Sequence, residues 1–450
     1  MRHLAALFLL ALATAVLHAD DWPQWLGPQR DGVWREKGIL TQFPQGGLKP
    51  LWRVPIGGGY AGPAVADGLV YVPDRQLDPG QKDPANPFLR TNSKGKERIV
   101  ALDAKTGKQV WVYEYPCTYT MSYPAGPRTT PVIQDGKLWS LGAMGDLVCL
   151  DAKKGEVIWT KNLVKEYDAG VPVWGFAAHL LVEGDTVISL VAKKPVVVAF
   201  DKNTGKEKWR ALEIENAEIG YCPPTLLTLG GKRQLIIWHP EAVNGLEPAS
   251  GKLLWSYPWT IRSNLSVSTP RAVGKDQLFL TAFYNGSRLL EVKADQVKEV
   301  WRSKGRDEKD TQAIHSIMPT PFIEGTTAYG VCSYGQLRAI DLQAGGKRLW
   351  EDLTATGAMQ PQRWANAFLT PHGERYFLFN EKGDLIIARL TPKGYTQRDK
   401  AHLIDPTSQL AGGLTGPRKV VWSHPAYANK TIYVRNDKEI AAFYLGSDSE

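Results

Sequence analysis

The sequence predicts an all-β fold, an eight-bladed β-propeller with four-stranded antiparallel blades. Three observations carry that expectation. A phrase of the form apolar–Asp–x–x–x–Gly–…–Trp recurs along the chain, with successive tryptophans 48, 50, 46, 46 and 49 residues apart. A period of that size holds four short strands, which is one propeller blade. Eight pairs of strand-like segments precede or follow these phrases. Only seven outer-strand phrases accompany them, and an isolated strand at Pro50–Leu51–Trp52–Arg53–Val54 supplies the eighth.

The phrase itself reads as strand, turn, strand. It runs ALDAKTGKQVW to Trp111, CLDAKKGEVIW to Trp159, AFDKNTGKEKW to Trp209, GLEPASGKLLW to Trp255 and, degraded, EVKADQVKEVW to Trp301. AIDLQAGGKRLW ends at Trp350, and a weaker copy, IARLTPKGYT, puts Tyr395 near the Trp position. Alternating apolar residues make a half-buried strand. Asp103, Asp151, Asp201 and Asp341 open a turn that Gly107, Gly155, Gly205 and Gly251 complete at positive φ. The Trp then starts to bury the outer strand against the next blade. One turn geometry explains all these carboxylates, so they read as structural and no metal is expected.

The inner pairs begin with GPAVADGLVYV (Gly62 to Val72) and end with HPAYANKTIYVR, which leads into EIAAFYL, Glu439 to Leu445. The strand at 50–54 is expected to pair with 439–445, completing the last blade and closing the ring. Closure removes the edges of an open array.

Composition and charge narrow the function classes. The chain has 450 residues, 43% hydrophobic and 22% charged, with 16 Trp and 43 Gly, a globular composition. Arg2, the apolar run Leu4 to Leu17 and Leu17–His18–Ala19 read as a cleaved signal peptide over residues 1–19, hence a periplasmic or secreted protein. Residues 20–48 then form a Trp-rich leader packing on the propeller, and residues 49–450 the propeller. Losing residues 1–19 removes one basic and no acidic residue from a net charge of +8. The remaining basic charge is dispersed without a Lys/Arg block interleaved with aromatics, which argues against a nucleic-acid partner. No later segment is long and apolar enough to span a bilayer. A monomer is expected. Cys117, Cys149, Cys222 and Cys332 form no CxxC motif, and export leaves a Cys117–Cys222 disulfide open.

The repeat resembles that of the pyrroloquinoline-quinone (PQQ) enzymes, shared by quinoprotein alcohol dehydrogenases and by the propeller lipoprotein of outer-membrane assembly, over roughly residues 49 to 445. The leader Asp21–Trp22–Pro23–Gln24–Trp25–Leu26–Gly27–Pro28 with Asp31–Gly32–Val33–Trp34 looks like that of exported PQQ-like propeller proteins of planctomycete-type bacteria. So does the last blade, Ser423–His424–Pro425–Ala426–Tyr427 with Tyr433–Val434–Arg435–Asn436–Asp437. The dehydrogenase likeness implies a calcium-bound quinone on the propeller axis. The adjacent cysteines of those enzymes are absent here, their calcium ligands find no residue-by-residue match, and no lipid-bearing Cys follows residue 19.

Loop lengths pick a face. Links between strands one and two, and three and four, fall on one face and are short. The remaining links are long: 73–98, 112–127, 160–176, 302–318 and 397–422. Long links in a compact fold are commonly functional, although 73–98 reads as a mobile surface loop. A ligand site is therefore expected at the channel mouth on the long-link face, at Arg128, Trp174, His179, Asn264, His315, Trp364, Asn366 and His424, with Tyr119, Tyr123, Tyr221 and Arg363 nearby. Arg holds carboxylates in a fork, His binds metals or moves protons, and Trp stacks on a sugar or quinone. The set suggests a small anionic or sugar-like ligand or an envelope protein partner. Two readings stay open, a binding or interaction scaffold and a quinone-dependent dehydrogenase.

Overall fold

The computed structural model describes residues 21–413 and 416–447. The signal-peptide expectation for residues 1–19 lies outside them. No described helix is long and apolar enough to cross a membrane.

Among the described residues, eight four-stranded antiparallel sheets form the blades, and one two-stranded hairpin stands apart from them. The first blade runs Ala64–Ala66, Leu69–Leu77, Ser93–Asp103 and Gln109–Tyr119. The last runs Ala426–Ala428, Thr431–Arg435 and Glu439–Tyr444, and its outer strand is Pro50–Pro55. The ring closes as expected, with Trp52 opposite Ala442, Arg53 opposite Ala441 and Val54 opposite Ile440.

The repeated phrase is a joint between blades. Asp103 Oδ1 accepts the N–H groups of Lys105 and Thr106, and Asp201 Oδ1 those of Asn203 and Thr204. Each Asp-led turn presents a carbonyl to the Trp of the preceding blade, whereas the Glu247 turn leaves Trp209 Nε1 without a partner among the described residues. Trp52 Nε1 donates to Ala104 O at 3.0 Å, Trp111 to Ala152 O at 3.0 Å, Trp159 to Lys202 O at 3.1 Å and Trp301 to Leu342 O at 2.7 Å. The turn glycine lies under the same indole: a Cβ on Gly155 would sit 2.6 Å from the Trp111 ring. Gly is required there twice, for φ of +71 or +72° at Gly107 and Gly155 and for contact with the ring. The joint survives the weak copy in the seventh blade, where Trp350 Nε1 donates to Thr391 O at 2.7 Å, but changes at the fifth. The blade after Trp255 lacks the Asp–Gly turn, and Trp255 Nε1 donates within its own blade to Gln234 Oε1 at 2.5 Å.

One outer-strand expectation needs correction. Each Trp sits at a bulge of the outer pair, as Trp111 does opposite Ala101. In the seventh blade that bulge falls between Ile387 and Ala388, with Asp399 opposite Ile387, so Asp399 and not Tyr395 takes the Trp position. The eighth blade has no Asp–Gly turn to receive an indole. Asp399 accepts Phe43 N–H of the leader at 2.6 Å instead.

Several links are shorter than read from sequence. Residues 73–77 and 93–98 continue the first blade, pairing Pro73 with Ile99 through Leu77 with Gly95, so 73–98 is not a free loop. The buried positions of Ser93–Asp103 begin Ser93, Gly95, Glu97, which hides the strand from a hydrophobic pattern. Likewise 112–119 and 397–402 are strand, and residues 408–413 and 416–420 form the separate hairpin. All four cysteines are free and buried. Cys117 and Cys222 pack in different clusters, so the disulfide does not form.

Candidate functional site

The long links converge on the axis around a cavity of about 370 Å³. Eight of its fifteen lining residues are aromatic: Tyr60, Phe88, Tyr123, Trp174, Tyr221, Tyr284, Trp364 and Trp422. Five of them touch in a run, Trp364 to Phe88 at 6.0 Å, Phe88 to Tyr123 at 5.0 Å, Tyr123 to Trp422 at 6.0 Å and Trp422 to Tyr60 at 6.3 Å between centroids, and Trp174 and Tyr221 form a separate pair at 5.7 Å.

Backbone features hold this lining. Tyr60 and Ala61 N–H both reach Pro127 O at 2.8 Å, a close crossing of two links. A Cβ on Gly126 would stand 2.2 Å from Gly58 O, so only glycine permits it. Tyr123, Ser263 and Trp364 are held at φ of +55, +57 and +66°, a conformation that costs roughly 1 kcal/mol or more per non-glycine residue and collects at functional sites. Trp364 N–H is tied to Ser333 O at 2.9 Å. Arg418, on the separate hairpin, bonds Arg363 O and the buried Glu381 at 2.9 Å each, and Glu381 also accepts from Trp422 Nε1 at 3.4 Å.

Of the expected site residues, Arg128, Trp174 and Trp364 line this cavity. Tyr123 and Tyr221, read as neighbours, line it as well. Arg128 is not free to grip an anion. Its guanidinium donates to the carbonyls of Gly126, Ser122 and Tyr123, the last two at 3.0 and 2.5 Å, and its carbon lies 5.3 Å over the Tyr60 ring. Asn264 stands on the rim between the lining residues Ser263 and Leu265 and does not line the cavity. His315 and Asn366 are buried beneath the links. His315 Nδ1 bonds Phe283 O at 3.1 Å, and neither its Nε2 nor the Asn366 amide has a partner among the described residues.

His179 and His424 lie deeper in the channel, not at the mouth. Thr130 joins them: its N–H donates to His179 Nδ1 at 3.0 Å and its hydroxyl contacts His424 Nε2 at 2.7 Å. Burial depresses both imidazoles, His179 well below 6.5 and His424 to about 4, and His315 also to about 4. All three are neutral at pH 7 and do not supply the positive charge that an anionic ligand was expected to meet.

Tyr119 also belongs to a separate structure. With Tyr115 it donates to the buried Glu97, which accepts Ala143 N–H as well at 3.0 Å. Burial raises the Glu97 carboxyl.

The other end of the channel is partly filled by the leader, which sequence reading placed on the propeller but not inside it. Trp22 exchanges two 2.9 Å backbone bonds with Val65 on the inner strand of the first blade, and Ile133 N–H donates to Pro23 O on the second. Trp25 stacks on His179 with centroids 4.5 Å apart and planes 4° apart, meets His424 edge-on at 4.4 Å and donates to Thr269 at 3.1 Å. Trp34 N–H reaches Pro371 O on the seventh blade, and its indole packs 4.9 Å from Tyr427 on the eighth. The histidines therefore hold the plug. Repeat counting had no means to show this, because the leader lies outside the repeat.

Comparison with known proteins fits this geometry. A family model described as outer membrane protein assembly factor BamB matches residues 95–351 and 243–397. The chain is 30% identical over 229 residues to the dehydrogenase subunit of a quinone alcohol dehydrogenase from Acetobacter aceti, covering 45% of this chain and 27% of that one. It is 25% identical over 254 residues to BamB of Burkholderia pseudomallei, covering 54% and 58%. The match thus spans less than two thirds of either relative. Among solved structures, a quinohemoprotein alcohol dehydrogenase from Comamonas testosteroni superposes with a TM-score of 0.58 at 13% identity, over 96% of this chain and 81% of that one. BamB from Moraxella catarrhalis does so at 0.57 and 14%, over 88% and 99%. These superpositions speak for the fold alone. With its repeat, closure and family match together, the chain belongs to the PQQ-like β-propeller family described as outer membrane protein assembly factor BamB.

Proposed function

We propose that this protein is a cell-envelope binding propeller, periplasmic or secreted, that takes a flat or sugar-like ligand in the aromatic cavity at its long-link mouth. The observation that carries the reading is the set of eight aromatic side chains around about 370 Å³, a volume suited to a small molecule. Trp174 and Trp364, both half-buried, offer ring faces to a planar or pyranose surface. The left-handed backbone at Tyr123 and Trp364 fixes those two rings before a ligand arrives, which lowers the ordering cost of binding.

The quinone alcohol dehydrogenase among the relatives suggests a second reading, a quinone-dependent dehydrogenase, and the aromatic cavity is compatible with a flat quinone. The surrounding donors do not fit a calcium-bound one. Among the described residues no three His, Cys, Asp or Glu side chains are placed to hold a metal ion. The one charged group lining the cavity, Arg128, is committed to backbone carbonyls.

Calorimetric titration with pyrroloquinoline quinone and with a pyranose oligosaccharide, each with and without calcium, separates the readings. Calcium-independent binding of either ligand is expected. Quinone binding that appears only with calcium supports the dehydrogenase, and no binding of either ligand removes the mouth as a small-molecule site.

A further inference from the structure

The leader does not fill its end of the channel. A cavity of about 560 Å³ remains on the short-turn side, between the leader and the second to sixth blades. That face is concave too.

Two arginines line it, Arg30 from the leader and Arg271 from the fifth blade. Arg30 donates through Nη1 to Gln24 Oε1 at 3.1 Å and Leu180 O at 3.0 Å and through Nη2 only weakly to Pro224 O at 3.5 Å, while Arg271 Nε donates to Pro321 O at 3.0 Å. Arg271 Nη1 reaches Arg30 O at 3.4 Å, so the two residues are adjacent. Neither guanidinium has a carboxylate partner among the described residues. The lining acids are engaged elsewhere: Asp31 pairs with Arg35 at 2.5 Å, and Glu183 with Arg233. Both arginines are half-buried, and desolvation lowers each guanidinium to about 10, an effect the nearby Asp31 carboxylate offsets only in part at Arg271. Arg30 is also held at φ +56°. A buried charge without a partner is costly, and an incoming anion would offset that cost.

We propose that this short-turn cavity is an oxyanion site, taking a phosphate or carboxylate group beside Arg30 and Arg271. Fork-shaped guanidinium donors suit both groups. Arg271 anchors the site from the blade and Arg30 from the leader, so binding also fastens the leader in the channel. The site is independent of the mouth cavity and does not depend on the function proposed for it.

The test is calorimetric titration of the exported protein with sodium phosphate and, separately, sodium acetate, at constant ionic strength in a chloride background. Phosphate is expected to bind and to raise the melting temperature, because a ligand of the folded state stabilises it. Arg271→Gln is expected to weaken phosphate by about tenfold or more, the value of a charge-assisted hydrogen bond. Arg271→Lys keeps the charge and should weaken it less, which also provides a reading if Arg271→Gln fails to fold. Trp364→Ala, at the opposite end, should leave phosphate binding unchanged. Acetate binding with the same dependence on Arg271 identifies a carboxylate site, and binding of phosphate alone a phosphate site. Absence of binding by both anions, equal affinity in wild type and both Arg271 variants, or loss of phosphate binding in Trp364→Ala would overturn the proposal.

Discussion

The two ends of the channel are built from opposite materials. The long-link mouth is lined by aromatic faces, and its one lining cation is committed to carbonyls. The short-turn end is partly filled by a single segment of chain, pinned by Trp25 against two neutral histidines and flanked by two arginines without carboxylate partners. The contrast shows that link length locates only one kind of concavity. Short turns leave the channel open, and what fills it comes from elsewhere in the sequence.

The largest effect should come from removing that filling. Deleting residues 20–54 takes away the closing strand together with the buried Trp22, Trp25, Trp34, Ile39 and Trp52. At about 25 cal/mol per Å² of apolar surface this amounts to several kcal/mol, a large share of a typical domain's stability. Thermal melting should drop for the whole ring in one transition. An unchanged melting temperature would mean that leader and ring are energetically separate.

The sequence made the blades legible because each repeat carries its joint, Asp, Gly and Trp, in a single phrase. Trp52 could be matched to the last blade by counting, since that blade alone lacked an outer strand. The site was legible in part. Trp174, Trp364 and Arg128 lie in links whose length was readable, but whether a link residue faces the mouth, as Trp174 does, or the channel interior, as His179 does five positions later, depends on local backbone turns that carry no periodic signal. Tyr60 was missed because it lies in the short connection between the closing strand and the first blade, and Trp422 because nothing in the 397–422 link marks which of its residues faces the mouth. Arg30 was missed because the leader has no repeat to place it.

A smaller effect is the response to pH, whose sign differs between regions. His179 and His424 titrate below their ordinary 6.5 when folded, His424 at about 4. The unfolded chain therefore takes up protons first on acidification. Their contribution to stability is complete above about 6.5 and is lost as pH falls toward about 4. Glu97, near the mouth, is raised above its ordinary 4.5, so its contribution is complete below 4.5 and is lost as pH rises through its folded value. Urea unfolding at about pH 7 and about pH 4.5 should show a net acid loss, shallower in His424→Gln and steeper in Glu97→Gln. Equal slopes in all three proteins would remove the assignment.

The smallest effect belongs to the short turns. Asp135 is an exposed turn residue at φ +52°, paired with Lys202 at 2.9 Å. Asn tolerates that backbone, and exposed ion pairs contribute little, so Asp135→Asn should cost about 1 kcal/mol or less. It should also leave ligand binding at the mouth unchanged. A large loss of stability in a thermal melt would show that these turns do more than shape the chain.

The central claim is that the mouth binds and the plugged end holds. Its most direct measurement compares Trp364→Ala with Trp25→Ala, scoring each for affinity toward whichever calcium-independent ligand binds the wild type and for melting temperature. Trp364→Ala should lose about tenfold to a hundredfold in affinity, as expected when a stacking face worth roughly 1–3 kcal/mol is removed, with little change in melting. Trp25→Ala should melt earlier by several degrees, at a cost of about 3–5 kcal/mol, with affinity retained. If Trp25→Ala abolishes binding while Trp364→Ala leaves it intact, the ligand sits at the plugged end and the assignment of the two ends is wrong.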